Sequence, residues 1–249
     1  MFEGILLMTI KKKEILIIGH KGASAIAPEN TLMAFKKAIE LKADLVEFDI
    51  HKTKDGEIVI IHDPDTLSTT GVQGLIKDMT LEEIKKLDAG EGEKIPTLLE
   101  LIKVAKEKVS LQIEIKSSGL LEKLIKILKE ENLLNTSIVS CFAFDELVKL
   151  KNLEPKIKLG FLLPAKLVRV RQIKRKILKA VDKKFYAIHP HYNITDKEIV
   201  DFAHDNNLKV NVWTINDKDM VERLIEIGVD GIITDDISMA NELLGRVTE

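Results

Sequence analysis

Asp44-Leu45-Val46-Glu47-Phe48-Asp49-Ile50-His51 is an apolar run with strand periodicity in which every second residue from Glu47 onward is ionisable. Side chains alternate faces along a strand, so Glu47, Asp49 and His51 are expected to project to one side. Two carboxylates and an imidazole then share a surface. Grouped like charges repel, and buried carboxylates are tolerated when they are paired, protonated or bound to a cation. A metal site accounts for the grouping.

Working outward, short β-branched runs recur at residues 15–19, 45–51, 109–115, 137–141, 157–162, 185–188, 209–213 and 231–234. Between them, residues 30–41, 97–108, 120–131, 144–152, 167–181, 195–206, 218–227 and 238–243 carry apolar side chains at spacings of three and four, as helices do. Strands that alternate with helices pair in parallel, and eight such units in 249 residues predict an α/β fold, a (β/α)8 TIM barrel, as a single domain over residues 1–249. A doubly wound open sheet is the alternative. After the second strand, the turn Lys54-Asp55-Gly56-Glu57 signals a hairpin into an extra strand at residues 57–61. Residues 63–93 then hold too few apolar side chains for a barrel unit and are expected to form a small insertion over one rim.

The charge census, 38 Lys and Arg against 40 Asp and Glu spread along the chain, offers no basic block for nucleic acid or an anionic membrane. No apolar run approaches the roughly 20 residues that span a bilayer. The single cysteine, Cys141, has no partner for an internal disulfide, which favours a reducing compartment. The stretch from Met1 to Met8 is interrupted by Glu3 and followed by Lys11 to Lys13, without a small-residue cleavage site. A cytoplasmic location is expected.

In a barrel of this kind the chemistry sits at the C-terminal ends of the strands. Those ends hold Gly19-His20-Lys21-Gly22, then Glu47, Asp49 and His51, then His62-Asp63 on the hairpin, then Glu114 and Lys116, and Trp213. Glu114 and Lys116 have the parity that faces Glu47 and Asp49. Three carboxylates without a thiolate favour one hard divalent cation, Mg2+ or Ca2+, over zinc. Such a cation with Lys21 and Lys116 nearby forms an electropositive pocket for a phosphate ester. His20 and His62, on different loops, can then supply a general base and a general acid on opposite sides of phosphorus.

These motifs resemble the glycerophosphodiester phosphodiesterases. The resemblance rests on His20-Lys21-Gly22 followed by Ala27-Pro28-Glu29-Asn30-Thr31, on Glu47-Phe48-Asp49, on Gly56 to Pro64 with His62-Asp63, and on Ile95-Pro96-Thr97-Leu98. It continues in Ile113-Glu114-Ile115-Lys116, Val212-Trp213-Thr214-Ile215-Asn216 and Asp230-Gly231-Ile232-Ile233-Thr234-Asp235, covering nearly the whole chain from Ile18. It implies a barrel with an insertion after strand two, a divalent metal at Glu47, Asp49 and Glu114, and acid/base catalysis by His20 and His62. It also implies a two-step reaction: the glycerol 2-hydroxyl attacks phosphorus and expels the alcohol, and water opens the cyclic phosphate to glycerol 3-phosphate. The family usually has Arg where this chain has Lys21, and an ammonium lacks the planar two-pronged grip of a guanidinium on phosphate.

The remaining candidates have more modest expected roles. Glu29 lines the site, or Glu29 and Asn30 cap the helix beginning near Thr31. Trp213 walls the glycerol or alcohol group, and His51 hydrogen-bonds a ligand. Asp235 and Asp236 cap the last helix, His189 and His191 lie on the rim, His204 faces solvent, and Cys141 packs at the end of strand four. Two alternatives to a glycerophosphodiesterase are a lysophospholipase D-type activity on lysophospholipids and a non-catalytic phosphate-ester binding protein. In each case the expected partner is a small molecule, with no nucleic acid, no membrane span, and the oligomeric state open.

Overall fold

The computed structural model describes residues 15–167 and 169–246. The N-terminal features read between Met1 and Lys13 lie outside the described residues. Nine strands follow in order: β1 (Leu16–His20), β2 (Leu45–Lys52), β3 (Ile58–Ile60), β4 (Ser110–Ile115), β5 (Ile138–Cys141), β6 (Lys158–Leu163), β7 (Ala187–Pro190), β8 (Lys209–Val212) and β9 (Gly231–Thr234). The helices are α1 (Leu32–Glu40), α2 (Leu67–Thr70), α3 (Leu81–Lys86), α4 (Leu98–Ala105), α5 (Leu121–Glu130), α6 (Phe144–Leu153), α7 (Val170–Asp182), α8 (Lys197–Asp205), α9 (Lys218–Glu226) and α10 (Ile237–Leu243).

Eight of the strands pair in parallel around a ring, and β1 bonds to both β9 and β2. That pairing closes the sheet and removes the open-sheet alternative. Helices separate each parallel strand from the next, so the sheet is covered on its outer face and its strands read as nearly continuous apolar runs. The main core fills the layer between sheet and helices, with Phe35 and Phe48 in an edge-to-face contact at 5.8 Å. Inside the barrel a smaller cluster of Ile18, Leu45, Ile138 and Ile233 plugs the lumen.

Helix starts follow local chemistry. Thr97 accepts from the Glu100 amide while the Glu100 carboxylate reaches back to Thr97, a reciprocal cap that starts α4. Thr31, Asp196, Asp217 and Asp236 cap α1, α8, α9 and α10 with their side chains.

β3 runs antiparallel to β2, with Ile50, His51 and Lys52 opposite Ile60, Val59 and Ile58. The hairpin therefore rises above the rim and turns back toward it. Beyond it, α2, a 3-10 turn at Ile76–Asp78 and α3 cover a separate small core of Val59, Ile61, Ile76, Ile84, Ala89 and Ile95. That excursion has a hydrophobic anchor of its own.

Two histidines sit elsewhere than expected. His189 is fully buried inside the barrel, packed on Gly160, where an added Cβ would come within 2.4 Å of the ring, and its Nε2 lies 3.3 Å from the Asn211 amide nitrogen. Its side chain points to the lumen, which is why it is not a rim residue. His204 does not simply face solvent, because its Nε2 lies 2.6 Å from Asp230. Asp230 also accepts from the Val210 amide at 2.9 Å and from Lys209 at 3.0 Å, tying β8 to β9 at the N-terminal face.

Breaking that tie leaves a buried amide unsatisfied. Asp230→Ala is expected to lower the unfolding free energy by about 2 to 3 kcal/mol, read as a reduced urea midpoint with an unchanged denaturant slope.

Candidate active site

Strand register decides which side chains meet at the C-terminal rim. His20 on β1 is level with Glu47 on β2, and Asp49 on β2 is level with Glu114 on β4. One oxygen from each of Glu47, Asp49 and Glu114 lies within 4.8 Å of the others, and all three residues are buried. The cluster anticipated from side-chain parity is present as a compact acidic triad.

Its surroundings do little to neutralise it. Lys116 Nζ lies 2.6 Å from Glu114 and 3.1 Å from Asp49. Glu47 accepts the backbone amide of Lys21 at 3.1 Å. Asn30 donates to Asp49 at 3.0 Å, and its own Oδ1 is buried without a hydrogen-bond partner among the described residues. Burial, followed by the neighbouring Asp49 charge, pushes the Glu47 carboxyl up to about 8. Burial also lifts Glu114, to about 7, with the Lys116 charge opposing and the Asp49 charge adding. Burial lowers Lys116, but Asp49 and Glu114 more than offset it and hold the ammonium protonated. Three buried carboxylates around a single ammonium, with an unsatisfied amide oxygen beside them, fit a metal ion held by oxygen ligands.

The loop after β1 is built to bring its residues onto this triad. Lys21 and Asn30 both adopt left-handed backbone, φ 55° and 58°, and Asn30 N donates to Lys21 O at 3.0 Å, closing the loop on itself. Gly22, at φ 88°, is required: a Cβ would stand 2.7 Å from the Ala34 backbone of α1. Asn30 thus serves the acidic cluster and does not cap the helix, a task left to Thr31. Lys21 Nζ pairs with Glu29 at 2.9 Å, which puts Glu29, half exposed, at the edge of the pocket.

Both candidate acid/base histidines carry a carboxylate on Nδ1. His20 Nδ1 lies 2.6 Å from Asp235, and Asp235 is itself held by Ser24 and Asn216. Asp236 alone caps α10. Asp235, expected to share that task, instead lies beside His20 because ring closure sets β9 against β1. Burial lowers the His20 pKa, yet the Asp235 hydrogen bond and the Glu47 and Asp235 charges more than offset it, so the net shift is upward. Burial raises Asp235, and its His20 partner reverses this, bringing it down to about 2. His62 Nδ1 lies 2.8 Å from Asp63, which also accepts from Ser68 on α2. Ile61 N bonds to Asp49 O at 3.0 Å, so the returning hairpin sets His62 next in chain to a residue tied to the triad. Among the described residues neither ring has a hydrogen-bond partner on Nε2.

His51 is buried, and its Nε2 lies 3.1 Å from the His62 carbonyl, to which it donates. Burial lowers its pKa and favours the neutral ring, so it steadies the hairpin end rather than a ligand. Trp213 Nε1 donates to His189 O at 2.8 Å, and its ring meets Phe142 at 5.5 Å and His191 at 5.0 Å, both edge-to-face. Lys116 Nζ is 5.9 Å from the centre of the Phe142 ring, so this aromatic wall reaches the ammonium of the cluster. His191 lies on the rim and its Nδ1 accepts the Asn193 amide. Burial pushes the Cys141 thiol up to about 11, consistent with packing rather than reactivity.

The raised carboxyls make stability depend on pH. A carboxyl that holds its proton more tightly in the folded chain stabilises it below the unfolded pKa of 4.5, and that contribution is lost as pH rises through about 8. The upward shift of His20 adds in the same direction. In chelator, the melting temperature is therefore expected to fall between pH 5 and pH 8.5, and to fall less in Glu47→Gln. A divalent cation should restore it at pH 8.5 in the parent chain and not in the variant, as differential scanning fluorimetry would read.

Comparison with known proteins identifies the family. The profile of the glycerophosphoryl diester phosphodiesterase family matches residues 20–239. A glycerophosphodiester phosphodiesterase of Caldanaerobacter subterraneus subsp. tengcongensis is 43% identical over 234 residues, which is 89% of this chain and 94% of the relative. A phosphodiesterase of Oleispira antarctica, solved in complex with the product sn-glycerol-3-phosphate, superposes with a TM-score of 0.83 at 30% identity over 92% of this chain and 96% of that one. A glycerophosphodiester phosphodiesterase of Thermotoga maritima superposes with a TM-score of 0.79 at 29% identity over 92% of this chain and 98% of its own. With the same fold, an acidic triad at the strand ends and a family match over most of its length, the chain belongs to the glycerophosphoryl diester phosphodiesterase family.

Proposed function

We propose that the chain hydrolyses glycerophosphodiesters to sn-glycerol 3-phosphate and an alcohol, with His20 and His62 as its acid/base pair. The observation that carries this reading is the meeting, at one barrel rim, of the buried triad Glu47, Asp49 and Glu114 with two histidines each backed by an aspartate. The sn-glycerol-3-phosphate held by the Oleispira antarctica structure supports the choice of product. A hard divalent cation, Mg2+ or Ca2+, on the triad would offset the negative charge of a phosphate ester and of its transition state.

The chain's own groups do the rest. Lys21, and Lys116 once a cation shares the triad's charge, draw the phosphate in and orient it. One imidazole takes the proton of the glycerol 2-hydroxyl as its oxygen attacks phosphorus, and the other gives a proton to the departing alkoxide as its P–O bond breaks. A five-membered cyclic phosphate and a free alcohol result. In the second step the roles reverse: water is deprotonated as it adds to phosphorus, and the C2 oxygen is protonated as it leaves. Asp235 and Asp63 each bond to Nδ1, fixing the tautomer that leaves Nε2 for this traffic and stabilising the imidazolium in turn. Trp213 and Phe142 offer an apolar wall to the carbon skeleton.

A second reading, action on lysophospholipids, has one observation in its favour. Leu67, Val72 and Leu75 are 49%, 51% and 42% exposed on the same excursion that holds His62 and its partner Asp63. They could border an acyl chain, whereas Ile76 turns into the small core.

With glycerophosphocholine and a divalent cation, sn-glycerol 3-phosphate should accumulate, and chelator should stop it. His20→Ala is expected to keep cation binding and lose turnover by about 10³-fold or more, and Asp235→Asn to lose about 10²-fold in kcat. Glu47→Gln should lose the cation itself. Product release at parental rates by any of these variants removes the role assigned to it, and tight binding of the diester with no product would show a phosphate-ester binder.

Side-by-side turnover of glycerophosphocholine and lysophosphatidylcholine separates the two substrate classes. The water-soluble diester is expected to be favoured at least tenfold in kcat/KM, and the reverse order assigns the exposed leucines to an acyl chain.

A further inference from the structure

Residues 166–184 hold nine Lys and Arg against one Asp, in a chain with 38 basic and 40 acidic residues overall. The near balance of the whole chain conceals this block, which corrects the expectation that the chain offers no basic block for nucleic acid or an anionic membrane. The block takes in α7 with Lys166 and Arg169 before it and Lys183 and Lys184 after it.

Ile173, Ile177 and Ala180 of α7 are buried against the barrel, and the opposite stripe presents Arg171, Arg175, Leu178 and Lys179. Part of the positive charge is already engaged: Lys174 pairs with Glu198 at 2.8 Å and lies over the Phe202 ring, and Lys179 lies 5.7 Å over Phe144. Arg169, Arg171 and Arg175 have no carboxylate at ion-pair distance among the described residues. The three guanidiniums border a concave surface of about 660 Å³ whose lining contains no acidic side chain. Beside them Val170 and Leu178 are 37% and 45% exposed.

The position of this patch follows from the fold. α7 follows β6, so its N-terminal end lies at the C-terminal ends of the strands, on the same face as the acidic triad. Lys166, Arg169, Arg171 and Val170 are therefore rim residues. Guanidiniums bind phosphate through two parallel hydrogen bonds, and exposed aliphatic side chains among them suit the boundary between headgroups and acyl chains. A nucleic acid backbone would use the charge and leave Val170 and Leu178 in water.

We propose that the exposed face of α7 from Val170 to Leu178, with Lys166 and Arg169 before it, docks the protein on an anionic phospholipid bilayer with the barrel mouth turned toward the surface. A basic side chain near such a surface contributes about 1 kcal/mol, or about fivefold in partitioning. Removing three guanidiniums is then expected to weaken binding by about a hundredfold.

The test is sedimentation of the full chain with vesicles of phosphatidylglycerol and phosphatidylcholine in equal parts, and with vesicles of phosphatidylcholine alone. Binding is expected to the mixed vesicles only, and to fall by more than tenfold between about 0.05 M and 0.5 M salt as the Debye length shrinks. Arg169→Gln/Arg171→Gln/Arg175→Gln should lose it while keeping the parent's turnover of a soluble diester, and the corresponding triple Lys variant should stay within about fivefold of the parent. Equal binding to both vesicle types, or tighter binding to a DNA duplex than to mixed vesicles, overturns the proposal. So does displacement from vesicles by millimolar inorganic phosphate, which would mark a site for a free anion. The salt and lipid dependence of the parent chain decides the matter even if a variant fails to fold. None of these binding measurements reads turnover, so they stand apart from the test of the proposed activity.

Discussion

Three carboxylates held close together under the rim of a barrel, with one lysine between them, are the constraint around which the catalytic face is arranged. Removing a charged carboxylate from water is unfavourable, and bringing three together compounds the cost. The surrounding structure answers with hydrogen bonds aimed at them. The Lys21 amide, the Asn30 side chain and the Lys116 ammonium all converge there, and two of the three donors come from a loop held in left-handed backbone. The raised Glu47 and Glu114 carboxyls relieve part of the negative charge by holding protons, and a cation would relieve it without them. The loop after β1 can be understood as a cradle for the triad, and only secondarily as a connection to α1.

Parallel register converts this local demand into a whole-barrel arrangement. Because β1, β2 and β4 are neighbours, residues far apart in sequence come level with one another: His20 with Glu47, and Asp49 with Glu114. The antiparallel β3 adds what a pure barrel lacks, a segment that returns to the rim from above and delivers His62. Its position depends on the small core beneath the excursion, and on the bond from buried His51 to the His62 carbonyl.

Much of this was legible in the chain. Alternation of strand and helix patterns gave the barrel, and two-residue parity within β2 and β4 gave the triad, because both signals are local and periodic. Pairings that depend on closure or on loop conformation were not. Asp235 lies next to a helix start and reads as a cap, and only the adjacency of β9 and β1 reveals that it serves His20. Asn30 precedes a capping threonine, and its left-handed backbone is what turns its amide to Asp49. His189 occupies a strand end in sequence, yet the small Gly160 opposite it lets the ring fill the lumen. The basic block of α7 was missed for a different reason, since a net charge is an average and a surface is not.

The pairing of His20 with Asp235 joins residues 215 positions apart. Synthesis must therefore have passed Asp235 before this imidazole acquires its carboxylate. The contact is in that sense a product of ring closure, made when β9 docks against β1.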